Sequence, residues 1–145
     1  MILHTLLLSV ISRKPISDRR RQKKVLFVDN EPDITTMLKM ALERAGFSID
    51  VFNDPLLALE NFKPKMYDLV ILDVMMPKMD GLELYNQLKS VDPSIKGCFL
   101  TASSETYSEE LRKKKGRHCE LNKDLFLYMP LPISKIVEEI NRRIQ

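Results

Sequence analysis

From Lys24 onward, short apolar runs of strand length alternate with segments whose apolar residues recur at helical spacing. The first run, Val25 to Asp29, precedes a helix that carries Ile34, Met37, Leu38, Ala41 and Leu42 on one face and stops at Gly46. Phe47 to Phe52 reads as a second strand. Asp54 is placed to cap, and Pro55 to open, a helix bearing Leu56, Leu59 and Phe62 that ends before Pro64. The third run, Leu69 to Asp73, is almost wholly apolar, as a central parallel strand covered on both faces should be.

Gly81 to Ser90 predicts a third helix, Gly97 to Thr101 a fourth strand, and Glu105 to Lys115 a short helix with a charged face. Residues 116–124 read as loop, and Leu125 to Met129 as a fifth strand. The last helix, Ile133 to Ile144, turns Ile133, Ile136, Val137, Ile140 and Ile144 inward. Glu138 with Arg142 and Glu139 with Arg143 form outward i,i+4 pairs.

Strict alternation with right-handed crossovers predicts an α/β fold: a flavodoxin-like, doubly wound (βα)5 three-layer sandwich with parallel strand order 2-1-3-4-5. Ligands of such sheets bind outside the carboxyl ends of the strands, at the switch point beside the first strand. Here those ends read Asp29, Asp73 and Thr101.

A chain of 145 residues is long enough for one domain with a real core, and 44% hydrophobic with 30% charged residues is a globular balance. The formal net charge of +3 is unevenly spread. Residues 1–24 hold seven basic side chains against Asp18 alone, so they carry +6 and the rest of the chain −3. A slightly acidic body with no lysine and arginine face argues against direct nucleic-acid binding. The expected organisation is an apolar then basic leader over 1–23, disordered or loosely docked, and one folded domain over 24–145.

The leader's apolar part, MILHTLLLSVI, is far short of the roughly twenty residues that span a bilayer. It also lacks the cationic start and small-residue cleavage site of a secretory signal. A loosely docked leader, a weak interfacial anchor and an over-extended start remain open. Cys98 and Cys119 have no repeated spacing, so neither a disulfide framework nor a zinc site is expected, and His118 beside Cys119 reads as surface loop. A reducing cytoplasm fits this best.

Two aspartates ending neighbouring strands form an acidic notch suited to a hard divalent cation such as Mg²⁺. An aspartate is also a nucleophile able to form an acyl phosphate. Such a transfer needs positioning and charge neutralisation, and Thr101 offers a hydroxyl donor at the end of the fourth strand. Taken singly, either aspartate is equally a turn or cap residue.

The segments VLFVDNEPD (25–33), VILDVMMPKMDGLEL (70–84) and FLTASS (99–104) resemble the response-regulator receiver family of two-component signalling, from about Lys24 to Gln145. The middle segment, with Asp73, Pro77 and Gly81 in family spacing, is the most specific. The resemblance implies that Asp73 is the phosphoacceptor and that Asp29, Asn30, Asp73 and the Met75 backbone carbonyl form the Mg²⁺ pocket. It further implies that Thr101 is the switch hydroxyl and Phe126 the switch aromatic. Activation would then shift populations in the face made by the fourth helix, fifth strand and last helix. The implied partners are a histidine kinase or phosphotransfer protein and an unidentified downstream protein, met by a stand-alone receiver that is a phosphoacceptor and not a turnover enzyme.

Two positions depart from the family. The first motif usually has two adjacent acids, and here the second is Asn30; a lysine usually precedes the proline that ends the fifth strand, and here Met129 does. One anion and one cation are lost together, so the side-chain charge of the pocket stays at −2 while cation and phosphoryl group each lose a partner. Weakened Mg²⁺ binding is expected. The span between Thr101 and Phe126 is also longer than usual. Two other functions remain in play: an interaction module with this fold that switches without phosphate, and a flavin binder. Against the flavin binder, Asn30-Glu31-Pro32-Asp33 is no phosphate cradle.

Overall fold

The computed structural model describes residues 22–101 and 125–145. Five strands, β1 (Lys24–Val28), β2 (Ser48–Phe52), β3 (Leu69–Asp73), β4 (Gly97–Thr101) and β5 (Phe126–Tyr128), form one sheet in the order β2-β1-β3-β4-β5. Every pairing in it is parallel. The described helices are α1 (Pro32–Arg44), α2 (Pro55–Asn61), α3 (Gly81–Val91) and α4 (Ile133–Ile144). The doubly wound α/β architecture and strand order are those expected. The helix expected over Glu105 to Lys115, the loop after it, His118 with Cys119, and most of the leader lie outside the described residues.

The period-2 alternation of the strands divides the core in two. Leu26, Val28, Val70, Leu72 and Phe99 face one side with Ala58 of α2 and Leu82, Leu84 and Leu88 of α3. Val25, Phe27, Leu69, Ile71, Cys98 and Leu100 face the other with Leu38 and Leu42 of α1 and Ile136 and Ile140 of α4. Because β3 is covered on both faces, Leu69 to Leu72 are buried without interruption. Each such aliphatic contributes about 1.5–3 kcal/mol by leaving water, which gives the site a stiff floor.

Some expected positions move. β1 begins at Lys24 and leaves Asp29 just past its end, where the Asp29 N–H donates to Phe52 O at 3.1 Å. β2 begins at Ser48, with Phe47 packed into the core, and β5 spans Phe126 to Tyr128 alone. Met37, Leu56 and Ile133, expected inward, are 45%, 45% and 41% exposed. In α1 the inward arc runs through Ile34, Thr35, Leu38 and Leu42, and Met37 falls about a sixth of a turn outside its edge. α2 has only two turns, and Asp54, whose side chain accepts from the Leu56 N–H at 2.8 Å, fixes its phase so that Pro55, Ala58 and Leu59 turn inward. Ile133 stands in the first turn of α4, before the helix reaches the sheet. On α4, Glu139 takes both Arg142, at 3.0 Å, and Arg143, while Glu138 lies 3.6 Å from Lys135. No helix among the described residues is long and apolar enough to cross a membrane.

Candidate functional site

Register assembles the site. Val28 is paired with Leu72, so Asp29 and Asp73 follow side by side at the carboxyl ends of β1 and β3. Asp73 is paired with Leu100, which sets Thr101 one residue beyond, and Thr101 is paired with Tyr128, which sets Met129 next in line. The Met129 N–H donates to Thr101 O at 2.8 Å. These ends open on a cavity of about 230 Å³ lined by Asp29, Asn30, Glu31, Ile34, Asp73, Met75, Leu100, Thr101 and Met129.

The sequence-predicted residues Asp29, Asn30, Asp73, Met75 and Thr101 therefore meet in one place. Phe126 does not line the cavity. It is buried behind it, paired with Phe99 across β4 and β5, stacked on that ring at 5.2 Å and on Tyr128 at 6.2 Å. Asn30 and Met129, the two departures noted in the sequence, are both on the cavity wall.

Electrostatics make this a costly place for charge. Burial, and then the neighbouring Asp29 carboxylate, push the Asp73 carboxyl up to about 7, against which the Met75 N–H, donating to Asp73 Oδ1 at 3.3 Å, pulls only weakly. Burial also raises Asp29, which is 5% exposed, although the Glu31 N–H donates to its Oδ1 at 2.9 Å. The two carboxyl groups are in hydrogen-bonding reach of each other and titrate as a pair. Among the described residues no lysine or arginine lines the cavity.

Two aspartate carboxylates, the Asn30 amide oxygen and backbone carbonyls are hard oxygen donors, and an uncompensated acidic pair is an environment that a divalent cation neutralises. Among the described residues no cluster of three histidine, cysteine, aspartate or glutamate side chains is present. This is a poor cage for zinc or calcium, but it fits Mg²⁺, which is commonly held by one or two carboxylates and keeps several waters.

The backbone explains the glycine of the middle motif. A Cβ on Gly81 would lie 2.2 Å from the carbonyl oxygen of Asp73 and 3.1 Å from Val74 Cα, so α3 starts hard against the peptide of Asp73. Asp80 caps α3 by accepting from the Glu83 N–H at 2.8 Å, and the Gly81 N–H donates to Val74 O at 3.0 Å.

Two positioning residues escaped the sequence reading. Asn53, just past β2, donates to Asp29 O at 2.8 Å and to Thr35 Oγ1 at 3.0 Å, and the buried Thr35 hydroxyl donates to Pro32 O at 3.0 Å. Together they fix the corner that presents Asp29. Only the polar Asn53-Asp54 pair at a strand end hinted at it.

The chain matches the family model "Response regulator receiver domain" over residues 25–126. It is 34% identical over 121 residues to the alkaline phosphatase synthesis transcriptional regulatory protein PhoP of Bacillus subtilis, covering 83% of this chain and 49% of that one. It is also 34% identical over 111 residues to the sensor protein EvgS of Escherichia coli, covering 77% of this chain and 9% of that one. The chain thus spans half or less of the length of these relatives. Among solved structures, the non-phosphorylated HemR receiver domain of Leptospira biflexa superposes with a TM-score of 0.72 at 22% identity, covering 86% of this chain and 95% of that one, a likeness of fold. With the sheet order, the acidic pair at the switch point and a family match over most of its length, the chain belongs to the response-regulator receiver family of two-component signalling.

Proposed function

We propose that this receiver accepts a phosphoryl group on Asp73 in a Mg²⁺-dependent reaction and passes the signal on through a protein-interaction face. The observation that carries the reading is the position of Asp73: a carboxylate at the mouth of a cavity, beside a second carboxylate and a hydroxyl, at the switch point of the sheet. In the forward step a carboxylate oxygen of Asp73 attacks the phosphorus of a phosphohistidine or a small acyl phosphate. The new P–O bond forms as the donor's P–N or P–O bond breaks, and the leaving imidazole takes up a proton or the leaving carboxylate departs as an anion.

Asp73 must be ionised to attack, and at neutral pH its raised pKa leaves a large fraction protonated. When bound by Asp29, Asp73, Asn30 and the Met75 carbonyl, Mg²⁺ supplies the positive charge that favours the carboxylate and offsets charge on the phosphoryl oxygens. The Met75 N–H steadies Asp73 Oδ1, and the Thr101 hydroxyl is the donor at the phosphoryl site. Met129 contributes a thioether where an ammonium would stabilise the anion, so the phosphorylated state is expected to form less completely and to switch more weakly. The chain acts on its own phosphoryl group and is a phosphoacceptor, with a histidine kinase or phosphotransfer protein as donor. A buried free Cys98 suits a reducing, cytoplasmic setting.

Switching would couple Thr101 to Phe126 through Phe99, which lies two residues before Thr101 on β4 and against the Phe126 ring. A second reading, favoured by a wall carrying Met129 and no cation among the described residues, is an interaction module that switches without phosphate. One experiment separates the two. Protein incubated with Mg²⁺ and acetyl phosphate is examined for a mass increase of one phosphoryl group, and with beryllofluoride for altered signals at Thr101 and Phe126. The phosphoacceptor reading expects both, each lost in Asp73→Asn. Wild type that behaves like Asp73→Asn would establish the second reading.

A further inference from the structure

Glu31 stands between the corner that carries Asp29 and the start of α1, and it lines the same cavity as the two aspartates. Its backbone is committed to structure. The N–H donates to Asp29 Oδ1 at 2.9 Å, and the Ile34 and Thr35 N–H groups each donate to Glu31 O at 3.2 Å, which opens the helix. The side chain has no such task. An N-cap residue commonly turns its side chain back onto the helix, as Asp54 and Asp80 do for α2 and α3, but Glu31 makes no cap hydrogen bond. It is exposed, and its carboxylate has no hydrogen-bond or ion-pair partner among the described residues.

The charge of Glu31 nonetheless reaches the site, where it disfavours the ionised form of both Asp29 and Asp73. Three acids and, among the described residues, no lysine or arginine give the cavity wall a formal charge of −3. The three do not converge closely enough to grip one ion directly. Mg²⁺ keeps several of its waters, however, and a water on a dication donates strong hydrogen bonds that need acceptors. Apart from the residues already named as ligands, the described wall offers Glu31 and Thr101, since Ile34, Leu100 and Met129 are apolar. We propose that Glu31 is a further binding residue of the Mg²⁺ site, its carboxylate accepting hydrogen bonds from water on the cation and so supplying a third acid where Asn30 withholds one. This rests on the Mg²⁺ reading above.

Two substitutions remove the same charge and differ in what they leave. Glu31→Gln keeps the shape and an oxygen that still accepts from water; Glu31→Ala keeps neither. Acting as an acceptor, Glu31 predicts that Mg²⁺ affinity by titration calorimetry falls about two- to threefold in Glu31→Gln and about five- to tenfold in Glu31→Ala. A charge acting only through space would weaken both equally, and salt at about 1 M would erase the loss, whereas the difference between the two variants should persist there. Asp33→Asn removes an equal charge from the first turn of α1, off the cavity wall, and should change affinity less than about twofold.

A metal-free readout accompanies these titrations. Both variants keep the backbone bonds of Glu31 and lose a charge that repels the aspartates, so in a chelator their urea midpoints should equal or exceed that of wild type. Equal Mg²⁺ affinities of Glu31→Gln and Glu31→Ala, an equal loss in Asp33→Asn, or a lowered metal-free midpoint would overturn the proposal. A wild type that binds no Mg²⁺ would overturn the metal reading and this proposal with it, a result visible in the wild-type titration alone.

Discussion

Asp73→Asn replaces a carboxylate that the fold makes costly by an amide of the same shape, and its effect on stability follows from the pKa. In the folded chain Asp73 is raised from 3.8 to about 7. A group raised in the folded state costs nothing when both states are protonated, below the unfolded value. It costs progressively more as the unfolded chain ionises alone, and its full amount once the folded group has also ionised. Wild type should therefore lose stability between about pH 4 and pH 7 and level off above that.

The full shift corresponds to an upper limit of about 4 kcal/mol at ~1.36 kcal/mol per pH unit. Partial exposure of Asp73 and sharing of the proton with Asp29 reduce this to about 1–2 kcal/mol. Asn at 73 keeps an oxygen for the Met75 N–H, so no donor is orphaned. Urea unfolding in a chelator should find Asp73→Asn about 1–2 kcal/mol more stable than wild type near pH 8 and equal to it near pH 4. Saturating Mg²⁺ should close the gap at high pH by binding the wild-type pocket. Equal stability near pH 8, or an offset that is the same at both pH values, would refute the idea that the acidic pair is strained.

Asn30→Asp restores a second acid to the first motif and should tighten Mg²⁺ binding by about 1–2 kcal/mol, five- to thirtyfold by titration calorimetry, while lowering metal-free stability near neutral pH. Unchanged affinity would mean that residue 30 does not reach the cation. Gly81→Ala should cost about 1–3 kcal/mol in urea unfolding, because its Cβ meets the backbone of Asp73, whereas Gly97→Ala meets only the movable ring of Tyr85 and should cost less; the reverse order would contradict the packing. Phe99→Ala removes a fully buried ring that touches Tyr85 and Phe126 and should destabilise by about 3–5 kcal/mol, measured the same way.

The sequence by itself determined the alternation of strands and helices, and with it the sheet. Apolar runs of strand length and helical spacing reflect which faces must leave water, and that requirement is local enough to read along the chain. It also placed Asp29, Asp73 and Thr101, because strand ends are where an apolar run stops. It could not fix the phase of short helices. Met37, Leu56 and Ile133 are apolar but lie outside the buried arc, and two turns of helix contain too few positions to show which arc that is. Nor could it show that Asn53 and Thr35 hold the corner carrying Asp29, since a hydrogen bond across 18 residues leaves no periodic trace.

The tertiary structure alone decided the character of the site. Parallel register set the two carboxylates side by side in a buried cleft, and that burial, together with the neighbouring carboxylate, raises Asp73 to about 7. It put Phe126 behind the cavity against Phe99, and it brought Lys78 to Asp54 across 24 residues. Residue types can be read in order along a chain, but charge, burial and reach depend on what stands within a few ångströms, and that is settled only when the strands are laid next to one another.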